Sequence, residues 1–341
     1  MNDVTNGVLN GNRRAIARAL TWVENQQPQA EALLAALYPH TGRAWVIGVT
    51  GAPGTGKSSL VNVMAKAYRQ QGKTVGVIAV DPTSPFSGGA ILGDRIRMKD
   101  HSGDAGVFIR SMATRGSLGG LSVATRDSIR VLDAGGFDVI IVETVGAGQS
   151  EVDIVRTANT TLVVEAPGLG DDVQAIKAGI LEIADILVVN KSDRPGASST
   201  TRALNSMLEI GHPSSRLRLV DHHGILERVD APHDDSNANT PLWLPRVVQT
   251  IATDSGDIEA LMTAIEAHQA HVKSTDMAPL LEAQRIKMEL VDRLREALVR
   301  ALMGEISETM WMDFVEQVQT RQISPQQAIQ NMLNLYHKKA I

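Results

Sequence analysis

Eight consecutive residues, Gly51-Ala52-Pro53-Gly54-Thr55-Gly56-Lys57-Ser58, have the types and spacing of a phosphate cradle. They fit G-x-x-x-x-G-K-[ST] at every fixed position. Glycine permits backbone conformations that other residues resist, so successive loop N–H groups can turn onto phosphate oxygens where a helix begins. Lys57 is then expected to reach the β- and γ-phosphates, and the Ser58 hydroxyl to bind Mg²⁺. Ser59 opens the helix that follows and is counted with the nucleotide-binding loop. The plain alternative is a flexible glycine turn.

A second group stands far downstream. Ile186-Leu187-Val188-Val189-Asn190-Lys191-Ser192-Asp193 ends an apolar run with N-K-x-D, the guanine-reading pattern. The Asp193 carboxylate can accept from both N1–H and the exocyclic amine of guanine, donors that adenine does not present at those places. Leaving that carboxylate unpaired costs about 1.5 to 3 kcal/mol, or roughly 10- to 150-fold in discrimination. GTP is therefore expected over ATP. Thr250-Ile251-Ala252-Thr253 is the expected source of a backbone N–H for guanine O6, with Ile251, Ala252 and Thr253 as nucleotide contacts.

A phosphate-bound Mg²⁺ wants hard oxygen ligands. Besides Ser58, the candidates are Asp81 and Glu143, each closing an apolar run, and Asp94 on an intervening loop. Glu143-Thr144-Val145-Gly146 resembles a D-x-x-G switch with Glu for Asp. Lys57 and Glu143 are the expected catalytic charges. Gln149 has the chemistry to orient a water, although a plain loop amide reads equally well; partner binding is expected to supply or align what is missing, with Arg110 and Lys177 as candidates.

These side chains need a scaffold that delivers them to one edge. From Trp45 to about Ile265, short apolar strands alternate with helical patterns, which predicts an α/β fold: a P-loop domain with a mostly parallel sheet covered by helices on both faces. Strands are predicted at 45–50, 75–80, 107–110, 139–143, 161–166, 186–190 and 247–252, and ligands bind at the carboxyl ends of such strands. Helices are predicted at 13–24 and 27–38, ahead of the sheet. After about Asp276, Ile286, Leu290, Leu294, Ala297 and Ala301 recur at helical spacing. The expected division is an N-terminal helical extension at 1–42, a nucleotide domain at 43–273 and a C-terminal helical region at 274–341. That last stripe must pack on its own core or pair with a second copy.

Composition narrows the class. Net charge is −5 with no basic block, which argues against nucleic acid or an anionic membrane as partner. No apolar run reaches membrane-spanning length, and the first residues lack a signal peptide's pattern, so a cytoplasmic protein is expected. The chain holds no cysteine, which removes disulfides, thiolate catalysis and cysteine-ligated metal. His212, His222, His223 and His233 lack a tight ligand spacing, and 233–240 reads as a surface loop.

Taken together the motifs resemble the MeaB/ArgK family of GTPases. The segments that carry the likeness are 48–58, Val80 to Pro85, Gly88 to Asp94, Phe108 to Arg110, Val142 to Glu151 and Gly170 to Gly179. The resemblance implies a GTPase chaperone of an adenosylcobalamin-dependent acyl-CoA mutase, chiefly methylmalonyl-CoA mutase, that gates cofactor loading and protects the mutase. It also implies a homodimer formed through C-terminal helices, Asp81, Asp94 and Glu143 as metal-proximal acids, and an additional switch at Gly168 to Gly179. Two departures stand out: Ile251 replaces a frequent serine, and 212–240 does not follow the family pattern. Rival readings are a nickel-insertion GTPase, a P-loop small-molecule kinase and a non-hydrolysing scaffold.

Overall fold

The computed structural model describes residues 2–81, 103–113, 123–144, 154, 157–168, 183–210, 219–222, 225–228, 243–253, 255–275 and 277–339. They divide into two compact units, Met1–Leu280 and Leu281–Ile341.

The first unit is built on strands β1 (Trp45–Thr50), β2 (Val75–Asp81), β3 (Val107–Ala113), β4 (Val139–Thr144), β5 (Thr160–Glu165), β6 (Ile186–Asn190) and β9 (Arg246–Thr250). They form a seven-stranded sheet in the order β3-β2-β4-β1-β5-β6-β9, and every pairing is parallel. Strands buried on both faces read as continuous apolar runs, and this is why β4 and β6 are buried along their whole length. Each predicted strand is present. An antiparallel pair, β7 (Leu219–His222) and β8 (Ile225–Arg228), was not predicted within the polar stretch after His212. The loop reading at 233–240 lies outside the described residues.

Helices α1 (Asn2–Leu9), α2 (Arg13–Glu24), α3 (Pro28–Leu37) and α5 (Val123–Ala134) cover one face. Ile16, Leu20, Leu33 and Leu37 share a core there with Ile78, Met112, Ile140 and Val142. The Asn12 side chain caps α2 by accepting from Arg14 N–H at 3.0 Å and Ala15 N–H at 3.1 Å, which satisfies donors that a helix start leaves over. Asp133, at the end of α5, accepts from the N–H groups of Gly42, Arg43 and Ala44 and so fixes the entry into β1. The helical preface is thus part of the same core as the sheet.

Helices α4 (Lys57–Gln70) and α7 (Glu259–Ser274) cover the other face, with Leu60, Met64, Leu261 and Ile265 against Ile47, Val49, Ile141 and Val188. Helix α6 (Ala197–Ile210) packs Leu204 against Leu187 and Val189.

The second unit contains most of α8 (Met277–Glu305), then α9 (Glu308–Gln319) and α10 (Pro325–Lys339). Ser307 caps α9 through Met310 N–H. The predicted stripe is helical but open to solvent in the single chain, with Leu290 62% and Leu294 59% exposed. Among the described residues, no helix is long and apolar enough to cross a membrane.

Candidate functional site

The phosphate loop joins β1 to α4 at the carboxyl edge of the sheet. Gly51 takes φ 135°, and a Cβ there would sit 2.1 Å from the Val164 carbonyl oxygen, so no side chain fits. Gly56 takes φ 93°, and a Cβ would lie 2.4 Å from Asn190 Nδ2. Gly56 also stands at the start of α4 with no side-chain cap. The first N–H groups of the helix and the positive end of its dipole therefore face the loop. Lys57 is buried and donates through Nζ to Gly51 O at 2.7 Å and Ala52 O at 3.0 Å. Its ammonium lies across the loop where phosphate oxygens would replace these carbonyls. Thr55 Oγ1 donates to Ala52 O, Pro53 and Gly54 are exposed, and the Ser59 side chain is exposed on the outer side of the first turn.

One residue into the helix, Ser58 Oγ donates to Glu143 Oε1 at 2.6 Å in a buried site. The β1–β4 register, Val49 opposite Glu143, brings that carboxylate to the loop. Asp81 ends β2, one residue past the Val80–Thr144 pair, so its backbone reaches the same edge. Asp94 and Gln149 lie outside the described residues, as does Lys177. A hydroxyl and a carboxylate beside a phosphate loop are a hard-oxygen set of the kind Mg²⁺ accepts, and Ser58 and Glu143 would be the residues to hold it. Among the described residues there is no cluster of three or more His, Asp or Glu able to hold a metal.

The guanine motif is tied to the loop through Asn190. Its Nδ2 donates to Thr55 O at 2.8 Å, while its Oδ1 accepts from Thr250 Oγ1 at 3.2 Å and from Ala252 N–H at 3.1 Å. The Lys191 backbone is left-handed at φ 57°, and its Nζ donates to Gly54 O at 2.6 Å. Ser192 N–H donates to Thr250 O at 3.1 Å, holding the turn that presents Asp193 in solvent. Ile251 is half-buried and Thr253 exposed. The Ala252 N–H is engaged by Asn190, which leaves Ile251 and Thr253 as the candidates of the expected guanine-O6 group.

Sequence reasoning placed Thr55 in the loop but did not foresee its carbonyl accepting from Asn190, the Thr250–Asn190 contact, or the pairing of Thr50 with Thr144 at 3.0 Å. Thr50, Thr144 and Thr250 each close a strand, which is a weak signal. Arg110 is corrected. It lies on β3 among residues facing the N-terminal helices and forms an ion pair with Glu24 of α2. Strand alternation puts it with Phe108 and Met112 under that layer, not at the loop.

A family model described as "Methylmalonyl Co-A mutase-associated GTPase MeaB" matches residues 16–307. A putative GTPase of Pyrococcus abyssi is 45% identical over 323 residues, covering 95% of this chain and 93% of its own. The mouse protein named "Methylmalonic aciduria type A homolog, mitochondrial" is 37% identical over 204 residues, covering 55% of this chain and 48% of its own. A crystal structure of a LAO/AO transport system kinase superposes with a TM-score of 0.64 at 24% identity, covering 98% of this chain and 97% of that one, and supports the fold alone. The loop, the guanine motif and these relatives make the chain a GTPase that binds GTP and GDP. With the model spanning most of its length, the protein belongs to the MeaB family of methylmalonyl Co-A mutase-associated GTPases.

Proposed function

We propose that this GTPase hydrolyses GTP to GDP and phosphate in a Mg²⁺-dependent reaction, and through that cycle serves as chaperone to an adenosylcobalamin-dependent acyl-CoA mutase of the methylmalonyl-CoA type. The hydrolytic half rests on one observation, the buried Ser58–Glu143 contact at the mouth of the phosphate loop. The partner rests on the family's description.

Loop N–H groups and the Lys57 ammonium neutralise charge on the β- and γ-phosphates, which lowers the barrier to phosphoryl transfer. Ser58 and Glu143, with Asp81 and Asp94 as further acids, would hold Mg²⁺, which when bound supplies positive charge to the phosphates. Asp193 selects guanine, and Asn190 keeps the base-reading turn in register with the loop. Gln149 is the candidate for orienting water. The exposed stripe through Leu290 and Leu294 suits burial against a second copy of this chain, giving a homodimer. Within this reading the functional divisions are proposed at 42/43 and 273/274, whereas the compact units divide at 280/281.

The test is phosphate release from GTP and from ATP, with and without a purified methylmalonyl-CoA mutase. The proposal expects slow release from GTP alone, little from ATP, and a changed rate together with co-elution when the mutase is present. Phosphate transferred to a small acceptor would point to a kinase. No effect of the mutase on rate, nucleotide affinity or elution would overturn the chaperone role. A nickel-insertion role has no support in a chain without cysteine.

A further inference from the structure

Two buried threonines meet at the carboxyl end of the sheet. Thr144 Oγ1 donates to Thr50 Oγ1 at 3.0 Å, and the residues are 1% and 0% exposed. The register that pairs Gly48 with Val142 and Val49 with Glu143 sets the threonines side by side at the following rung. Neighbouring side chains on a strand point to opposite faces. Glu143 therefore meets Ser58 on the α4 side, while Thr50 and Thr144 turn to the other side. On that side Ile154 packs so tightly on Gly48 that a Cβ there would lie 2.6 Å from Ile154 Cγ1.

Stability alone does not ask for hydroxyls at this rung. Valine has the same branched shape, suits a buried parallel strand, and an apolar pair replacing a buried hydrogen-bonded pair of equal shape is nearly neutral or stabilising. Earlier rungs follow that preference, with Val46 opposite Ile140 and Ile47 opposite Ile141. Hydroxyls appear where the strands hand over to chemistry. Thr50 is covalently joined to Gly51, the first residue of the phosphate loop, and Thr144 to Glu143. A hydrogen bond fixes distance and direction, whereas an apolar contact lets two strand ends slide.

We propose that Thr50 and Thr144 form a positioning pair for GTP hydrolysis, setting the spacing between the backbone that enters the phosphate loop and the backbone that carries Glu143. The pair acts through Gly51 and Glu143. This rests on the GTPase reading and deepens it.

The test compares the wild-type chain with Thr50→Val/Thr144→Val and with Thr144→Ser, measuring kcat, GDP affinity and the melting temperature. The double valine variant should melt at or above the wild-type temperature and bind GDP within about twofold, while kcat falls by about ten- to a hundredfold, as expected when reacting groups are held slightly out of place. Thr144→Ser keeps the hydroxyl and should keep kcat close to wild type. The proposal is overturned by an unchanged kcat in the double valine variant. It is equally overturned by a loss of GDP affinity in the same proportion, or by a serine variant as slow as the valine one. If the double variant does not fold, Thr144→Ala is read in its place, and a wild-type kcat there also overturns the proposal. A wild-type chain that releases no phosphate from GTP refutes the GTPase reading itself, which is a separate and recognisable failure.

Discussion

Ser58 Oγ donates to Glu143 Oε1 at 2.6 Å, joining the first turn of α4 to the end of β4 across 85 residues of sequence. A charge-assisted bond of this kind is short and directional. It holds together two hard oxygens of the kind that the proposed Mg²⁺ site would use.

Glu143→Gln keeps the size and one acceptor but removes the charge. GDP should bind nearly as well, while the steady-state rate of phosphate release should fall by roughly a hundred- to a thousandfold, the range for deleting one electrostatic group at a reacting centre. A rate within a few fold of wild type would remove Glu143 from the reaction.

Lys57→Ala should abolish hydrolysis while circular dichroism and the cooperative melt are retained. Lys57 Nζ donates to the loop carbonyls of Gly51 and Ala52, contacts that belong to the loop.

Asn190→Ala leaves the Thr55 carbonyl, the Thr250 hydroxyl and the Ala252 N–H without their common partner. The loss should be about 1–3 kcal/mol in stability to denaturant, together with weaker guanine binding. Denaturation with and without GDP separates the two effects, because bound GDP should stabilise this variant less than wild type.

Asp193→Asn should move preference from guanine toward xanthine, since the amide can donate to the carbonyl that xanthine carries at position 2. Competition between GDP and xanthosine diphosphate reads it directly; no movement would assign base recognition elsewhere.

The Tyr68 phenol on α4 is held above its ordinary value of 10.0, first by burial and then by the charge of Glu266. The folded chain keeps this proton after the unfolded chain has lost it. The linked stability is therefore complete below about pH 10 and declines as pH rises beyond it. Tyr68→Phe should make unfolding less sensitive to pH in that alkaline window, measured as denaturation midpoints across it.

Much of this was legible in the sequence because the signals were local. The runs at 45–50, 139–144 and 186–190 had to be strands buried on both faces, and the loop motif named its own strand and helix. Helix α1 was missed because its buried contribution is two valines, Val4 and Val8, in eight residues rich in polar types. The β7–β8 pair was missed because its strands are four residues each amid polar sequence. The part played by Asn190 depends on β6 lying beside β9 and on the loop folding back over both, contacts between residues 60 and 135 positions apart. Arg110 misled for the same reason. Its residue type suggested phosphate chemistry, but its partner, Glu24, lies 86 positions away under another layer.

The N-terminal helices carry one more implication. Strand β3 is one of the two outer strands of the sheet, and Arg13 of α2 donates to the Ala105 and Val107 carbonyls at its start. Outer strands offer unsatisfied backbone groups to any stray extended peptide. A chain trimmed ahead of Pro28 would lose this guard and much of one hydrophobic layer, and its characteristic fate would be self-association into aggregates during expression, long before any defect in turnover was noticed.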